Sequence, residues 1–255
     1  MIVCKSPNEI EKMRAANGLV AEVLAQLAAM VVPGVTTQEL DTAAERLVRA
    51  RGAEPAFKGY RGYPATLCAS VNEQVVHGIP SDRPLAEGDI LSLDMGVKLN
   101  GFYGDSAVTV PVGRIAEDAA ALLRVTEEAL ERGIRQVRVG GRISDIGHAV
   151  QEHVERHGYS VVREFVGHGI GVALHEEPQI ANYGEPGRGP RMVEGMVFAI
   201  EPMVNMGRPA VKVLGDGWTA VTRDGSLSAH FEHTVAVTKD GPLVLTERSK
   251  ATAAR

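Results

Sequence analysis

At 255 residues, with about 150 residues as a typical domain, the chain has room for one large domain or two small ones; one compact unit is the simpler expectation. Hydrophobic content of 44%, charged content of 23% and a mean hydropathy of −0.04 are globular values that exclude a disordered chain. With 27 Lys and Arg against 32 Asp and Glu the net charge is −5, which argues against broad nucleic-acid binding.

The first residues carry Lys5, Glu9, Glu11 and Lys12 with no apolar run of signal-peptide length, and no later stretch reaches the roughly 18 apolar residues needed to span a bilayer. A cytoplasmic protein without membrane contact is expected. Cys4 and Cys68 lie too far apart for a CxxC pair and are too few for a thiolate zinc site, so both are expected to be reduced thiols.

Ser6-Pro7-Asn8-Glu9 has the cap residue, first-turn proline and third-position glutamate of a helix start, followed at helical spacing by Ile10, Met13, Val20, Leu24, Leu27 and Val31. Thr36 with Glu39 repeats that signature before a stripe of Leu40, Ala43, Ala44, Leu47 and Val48, and Gly52 marks the stop. Strand-like runs follow at 66–72, 90–97 and 102–110, the last two joined by Asn100-Gly101, a strong hairpin signal. The second half restates the order, with helical patterns at 116–132 and 144–157, Gly158 as stop, and strand-like runs at 159–166, 196–204, 218–222 and 228–238.

Laying the second half on the first matches Gly34 with Gly140, Ala43 with Ala149, Val48 with Val154 and Gly52 with Gly158. One further residue of shift sets Glu87-Gly88 on Glu194-Gly195 and Asp94 on Glu201. The reading is a single domain over 1–255, of α+β class, built from two related halves at about 6–112 and 113–247. Helices would back a curved antiparallel sheet.

A two-residue turn at Asn100-Gly101 sets Asp105 opposite Gly96 and Asp94 opposite Ala107, so the two aspartates become diagonal neighbours about 7–8 Å apart. Flanking Ile90, Leu91, Leu93, Val108 and Val110 mark this hairpin as interior, where an unpaired carboxylate is costly. The plainer alternative is two partly exposed aspartates paired with lysine or arginine. Glu201 and Glu232 also interrupt apolar runs, and a two-fold relation would bring all four acids together. Ionised carboxylates at close range repel by about 4 kcal/mol per pair at an effective dielectric of 20, which points to bound multivalent cations.

Histidines flank glycines in Val76-His77-Gly78-Ile79-Pro80 and Gly167-His168-Gly169-Ile170-Gly171, and His175 follows in His175-Glu176-Glu177-Pro178. Glycine there is expected to let backbone approach a ligand. The 167–171 segment has the wrong spacing for a dinucleotide loop, and position 179 is Gln, which excludes a zincin helix. Ser70, Ser106 and Cys68 lack a recognisable relay, so metal-activated water ranks above nucleophilic catalysis.

Together, His77-Gly78-Ile79-Pro80, Asp94, Asp105, Gly167 to Gly171, His175 to Pro178, Glu201-Pro202 and Glu232-His233-Thr234 resemble the type I methionine aminopeptidase family, over about residues 6–247. The resemblance implies the pita-bread fold and removal of the initiator methionine from nascent polypeptides. It implies two divalent ions (Co, Mn, Fe or Zn) on Asp94, Asp105, His168, Glu201 and Glu232, with Asp105 and Glu232 bridging. Glu201 would shuttle the proton, His175 would steady the oxyanion, and His77 would hydrogen-bond the scissile amide nitrogen. Tyr60, Tyr63, Cys68 and Trp218 match the family's methionine pocket, while Phe57 and Leu174 stand where the usual residues are a cysteine and a phenylalanine, an exchange of large for small and small for large that conserves volume and leaves the pocket's shape open. A helix starting so near the first residue resembles the minimal bacterial form, a monomer with transient ribosome contact and no sequence-specific nucleic-acid binding. The alternatives are a proline-specific aminopeptidase or prolidase of the same fold, and a non-catalytic relative that binds nascent chains, ribosomes or RNA.

Overall fold

In the computed structural model, which describes residues 1–247, the Glu9 N–H donates to Ser6 Oγ and the Ser6 N–H to the Glu9 carboxylate, and helix α1 runs Pro7–Met30 behind this box. Thr36 and Glu39 make the same reciprocal bonds ahead of α2, Thr37–Ala50. Caps of this kind contribute about 1 kcal/mol each. Gly52, at φ +69°, then turns the chain out of α2.

Four strands follow: β1 (Glu54–Pro55), β2 (Cys68–Val71), β3 (Gln74–Val76) and β4 (Ile90–Leu99), with a 3₁₀ turn at Tyr60–Gly62. β5 (Phe102–Pro111) returns along β4 through Asn100 and Gly101, at φ +52° and +83°. The ladder pairs Gly96 with Asp105 and Asp94 with Ala107, the register expected from the turn. Helices α3 (Glu117–Ile134) and α4 (Ile143–Arg156) open the second half. Then come β6 (Ser160–Val161), β7 (Gly167–Gly169), β8 (Glu176–Ile180), β9 (Val197–Ile200), β10 (Met203–Asn205) and β11 (Val211–Val213). The last strands are β12 (Ala220–Thr222), β13 (Ser228–His230), β14 (His233–Thr238) and β15 (Gly241–Val244).

Every strand pair among the described residues is antiparallel, but the strands divide into four sheets rather than one. These are β1-β4-β2 with β5 on β4, β13-β10-β6, β11-β12-β3, and β15-β14-β9-β7-β8. The division arises because three of the expected runs are not continuous. The 196–204 run breaks at Glu201-Pro202, 228–238 breaks at Phe231-Glu232, and 159–166 keeps only two strand residues at its start. Two other runs start late for a local reason. Thr66 and Leu67 donate their N–H groups to Asp41 Oδ1 (2.8 and 2.9 Å), and Trp218 and Thr219 donate theirs to Asp216 Oδ1 (2.8 and 2.9 Å). Those donors are spent on carboxylates instead of a ladder.

Two apolar layers hold the halves. Val20, Leu24, Leu27, Leu40 and Val48 of α1 and α2 pack on Leu91, Leu93, Met95 and Val97 of β4. Leu122, Leu130, Ile146 and Val150 of α3 and α4 pack on Phe198, Ile200, Val204 and Val235. Gly104 lets α1 lie directly on β5, since a Cβ there would meet Asn17 N at 2.8 Å and Ala16 C at 2.9 Å. No helix among the described residues is long and apolar enough to cross a membrane.

Candidate metal centre

The acids of the second half stand where two neighbouring strands change sheets together. β9 and β14 pair in the five-stranded sheet, with Ile200 opposite His233, and β10 and β13 pair in a different sheet, with Met203 opposite His230. Glu201 and Glu232 occupy the two gaps, side by side, released from any ladder. The first half is stitched to this joint through β5. Glu232 N–H donates to Ala107 O (3.0 Å), Ser106 Oγ to Glu232 O (2.7 Å), and Thr234 Oγ1 to Asp105 O (2.8 Å). Ser106 is thereby committed to a backbone carbonyl.

The result is a buried cluster. Ligand atoms of Asp105, His168 and Glu232 all lie within 4.8 Å of one another. His168 Nε2 is 3.9 Å from Asp105 Oδ2 and 3.5 Å from Glu201 Oε1. Asp94, diagonal to Asp105 across the hairpin, is buried with it. The Nδ1 of His168 lies 2.8 Å from Gly169 O, a contact that assigns the proton to Nδ1 and leaves the Nε2 lone pair facing the carboxylates. Asn182 Nδ2 donates to Glu201 O (3.0 Å) and fixes the backbone at the break.

This set fits divalent cations on its own chemistry. Asp94 Oδ1 and Asp105 Oδ1 are buried with no hydrogen-bond partner, and among the described residues no lysine or arginine pairs with Asp94, Asp105 or Glu201. Burial pushes Asp94 up to about 7, and burial followed by the neighbouring Asp94 charge pushes Asp105 and Glu201 well above the usual carboxylate range. Burial likewise holds His168 down at about 3, so its imidazole is neutral at pH 7. Carboxylates with neutral imidazole suit Mn, Fe, Co or Zn.

Since Asp94 titrates near 7 against an ordinary 3.8, the metal-free folded chain keeps its proton across that window. Its contribution to stability is complete below the ordinary value and is lost as pH rises through about 7. A cation must displace such protons. The metal-stripped chain is therefore expected to bind Mn²⁺ at least about tenfold more tightly at pH 8 than at pH 6, since each carboxyl still protonated costs about tenfold per pH unit. Calorimetric titration at both pH values checks this; equal affinities would contradict it.

Beside the acids lies an aromatic wall. His175 stacks on Tyr60 (centroids 5.2 Å, 25°), its Nδ1 lies 2.9 Å from the Tyr60 hydroxyl, and its ring tilts over His168 at 4.2 Å. His77, at φ +60°, stands edge-on to Phe165 (5.3 Å) and Trp218 (6.2 Å). Burial lowers His77 to about 4 and also lowers His175. Tyr63 meets Trp218 edge-on at 5.2 Å, and its hydroxyl is turned to Leu67 O and Gly78 O (both 3.0 Å), so it braces the loop that carries His77. Cys68, opposite Asp94 in the β2–β4 ladder, packs with Tyr63, Phe57 and Trp218, and burial raises its thiol pKa, which makes it inert. Leu174 is buried among Met13, Phe102 and Ile170, with Phe57 and Tyr60 against the same cluster. Phe57 thus joins Leu174's cluster to that of Tyr63 and Trp218 in one apolar wall.

The glycines beside the histidines serve protein packing, contrary to the expected approach of a ligand. A Cβ on Gly167 would strike Ala199 O, on Gly169 Glu177 O, and on Gly78 Ala69 O, all backbone atoms. Two features near the site have little or no local signature. Lys5, buried, pairs with Glu176, whose Oε1 accepts from Val172 and Ala173 N–H (2.8 and 3.2 Å), so the amino-terminal segment clamps the loop leading to His175. His230 is the other; its only trace in sequence is a polar residue two before Glu232 in an apolar run, the spacing that puts both on one strand face.

Residues 11–239 match the model of metallopeptidase family M24. The chain is 54% identical over 246 residues to a protein of Bacillus subtilis (strain 168) called methionine aminopeptidase 1, covering 96% of this chain and 99% of that one. It is similar to the crystal structure of methionine aminopeptidase from Rickettsia prowazekii, with a TM-score of 0.96 and 45% identity over 97% of this chain and 100% of that one. The prolidase of Pyrococcus horikoshii OT3 shares the fold alone, with a TM-score of 0.79 at 22% identity over 99% of this chain and 65% of that one.

Proposed function

The chain belongs to metallopeptidase family M24, with the pita-bread fold, and from that membership we propose that it is an aminopeptidase that removes the initiator methionine from nascent polypeptides by hydrolysing their first peptide bond. The observation that carries the reading is the buried meeting of acids from both halves in a chain half identical, over its length, to methionine aminopeptidases. In this reading Asp94, Asp105, His168, Glu201 and Glu232 would hold two divalent ions. When bound, they would supply Lewis acidity and a water acidic enough to be hydroxide near pH 7.

The chain's own residues do the rest. Glu201 takes the proton of the attacking water at a carboxylate oxygen and passes it to the departing amine. His175, braced by Tyr60, donates to the developing oxyanion, and His77 hydrogen-bonds the scissile amide nitrogen. Tyr60, Tyr63, Cys68, Trp218, Phe57 and Leu174 would line the methionine pocket, an apolar wall suited to an unbranched thioether.

The test is a peptide assay beside metal analysis. Met-Ala-Ser is expected to release free methionine, with activity abolished by a chelator and restored by Mn²⁺ or Co²⁺. Cleavage of an X-Pro peptide alone would make the chain a proline-specific enzyme, and bound metal without cleavage of either peptide would make it a non-catalytic binder.

We also infer a cytoplasmic monomer that meets ribosomes transiently and has no sequence-specific nucleic-acid site. Its substrates emerge in the cytoplasm, its net charge is −5, and no described helix is suited to a membrane. We read 1–255, of which 248–255 lie outside the described residues, as one catalytic domain, and its repeat over 6–112 and 113–247 draws support from the matched glycines. Gly34 and Gly140, Gly52 and Gly158, and Gly88 and Gly195 all take left-handed φ in both halves.

A further inference from the structure

The mechanism above leaves His230 without a task, yet this imidazole is 1% exposed and neither Nδ1 nor Nε2 has a hydrogen-bond partner. Any imidazole carries at least one N–H, and an unsatisfied donor in a protein interior is a standing penalty. Its placement is tightly determined. The His230 N–H donates to Thr109 Oγ1 and Thr109 Oγ1 donates to His230 O, both at 2.8 Å, and the β10–β13 ladder sets His230 opposite Met203. Met203 follows Glu201-Pro202, so the ladder delivers the ring beside Glu201.

There His230 Nε2 lies 3.9 Å from Glu201 Oε2, while Oε1 of the same carboxylate lies 3.5 Å from His168 Nε2. One imidazole faces each oxygen. The Glu201 backbone is held by Asn182, but no side chain among the described residues hydrogen-bonds its carboxylate. A carboxylate shift of less than about 1 Å brings Oε2 into hydrogen-bond range of His230.

We propose that His230 is a positioning residue for Glu201, donating its Nε2–H to Oε2 so that Oε1 stays turned toward His168 and the metal cluster. The two oxygens then have separate tasks, one held by the protein and one presented to the reaction. This rests on the metallopeptidase reading, in which Glu201 is both ligand and proton carrier.

The experiment combines Mn²⁺ titration of the metal-stripped protein, kcat and KM of the loaded protein on Met-Ala-Ser, and Tm of the metal-stripped form. His230→Leu is expected to weaken Mn²⁺ binding about 10- to 100-fold, as loss of a ligand's hydrogen-bond partner does, and to lower kcat at nearly constant KM. His230→Gln, whose amide keeps a donor, is expected to restore both to within about tenfold of the parent. In a Glu201→Gln background, adding His230→Leu is expected to cost no further Mn²⁺ affinity. Equal losses in the leucine and glutamine variants, or an undiminished leucine effect without Glu201, would overturn the proposal, as would a leucine variant that only lowers Tm. If the leucine variant fails to fold, the glutamine variant decides alone, a loss greater than about tenfold overturning the proposal and a smaller one supporting it. Failure of the underlying reading looks different: the parent protein itself would bind no Mn²⁺ and release no methionine.

Discussion

Asp105→Asn is expected to lower kcat/KM on a methionyl peptide by more than about 10³-fold, because loss of the cations returns the attacking water from a pKa near 7 toward 15.7. Asp105 is one of three residues whose ligand atoms converge within 4.8 Å, and its Oδ1 is buried without a hydrogen-bond partner. Asparagine keeps the shape of aspartate and replaces one carboxylate oxygen with an amide nitrogen that cannot coordinate. It also removes a buried ionisable group whose charged form is disfavoured beside Asp94 and Glu201. The metal-stripped variant should therefore melt no lower than the metal-stripped parent. The parent should gain Tm on adding Mn²⁺, since a ligand that binds only the folded state stabilises it, and the variant should gain far less. Elemental analysis, kcat/KM and melting with and without metal check all three parts. A variant that kept two ions and full activity would remove Asp105 from the site.

His77→Ala is expected to reduce kcat about 10²-fold, the low end of what a positioned hydrogen-bonding group contributes, with metal content unchanged. Burial holds His77 near 4, so at pH 7 the ring is neutral and presents one N–H and one lone pair. Phe165 and Trp218 hold that ring edge-on from two sides, and among the described residues it makes no ion pair with Asp94, Asp105 or Glu201. The backbone at position 77 is left-handed, which costs a non-glycine residue about 1–2 kcal/mol that histidine already carries. Alanine inherits the same strain. Asparagine tolerates it better, so His77→Asn separates backbone from ring: it should fold at least as well as the alanine variant while remaining impaired in kcat. Loss of metal in either variant would mean that His77 belongs to the metal shell instead.

Much of this architecture is readable residue by residue. The Ser6–Glu9 and Thr36–Glu39 boxes, the stops at Gly52 and Gly158, and the Asn100-Gly101 turn involve groups three or fewer residues apart, and each forms as its local chemistry demands. The hairpin register follows from that turn, and with it the approach of Asp94 to Asp105. The family motifs likewise named the acids and histidines that the fold gathers. The glycines of Gly167 to Gly171 were legible as special but not in purpose, because a missing Cβ in sequence does not say whether a ligand or a neighbouring strand fills the space.

Helices, hairpin and the inventory of ionisable groups can be read directly from the residues, since each depends on neighbours along the chain. Packing in three dimensions is what breaks the strands at Glu201-Pro202 and Phe231-Glu232 to pass between sheets, carries Lys5 to Glu176, and turns His230 to face Glu201. Those arrangements join segments remote in the chain, and their geometry is set by how two apolar layers pack, a collective balance to which no single stretch of residues holds the key.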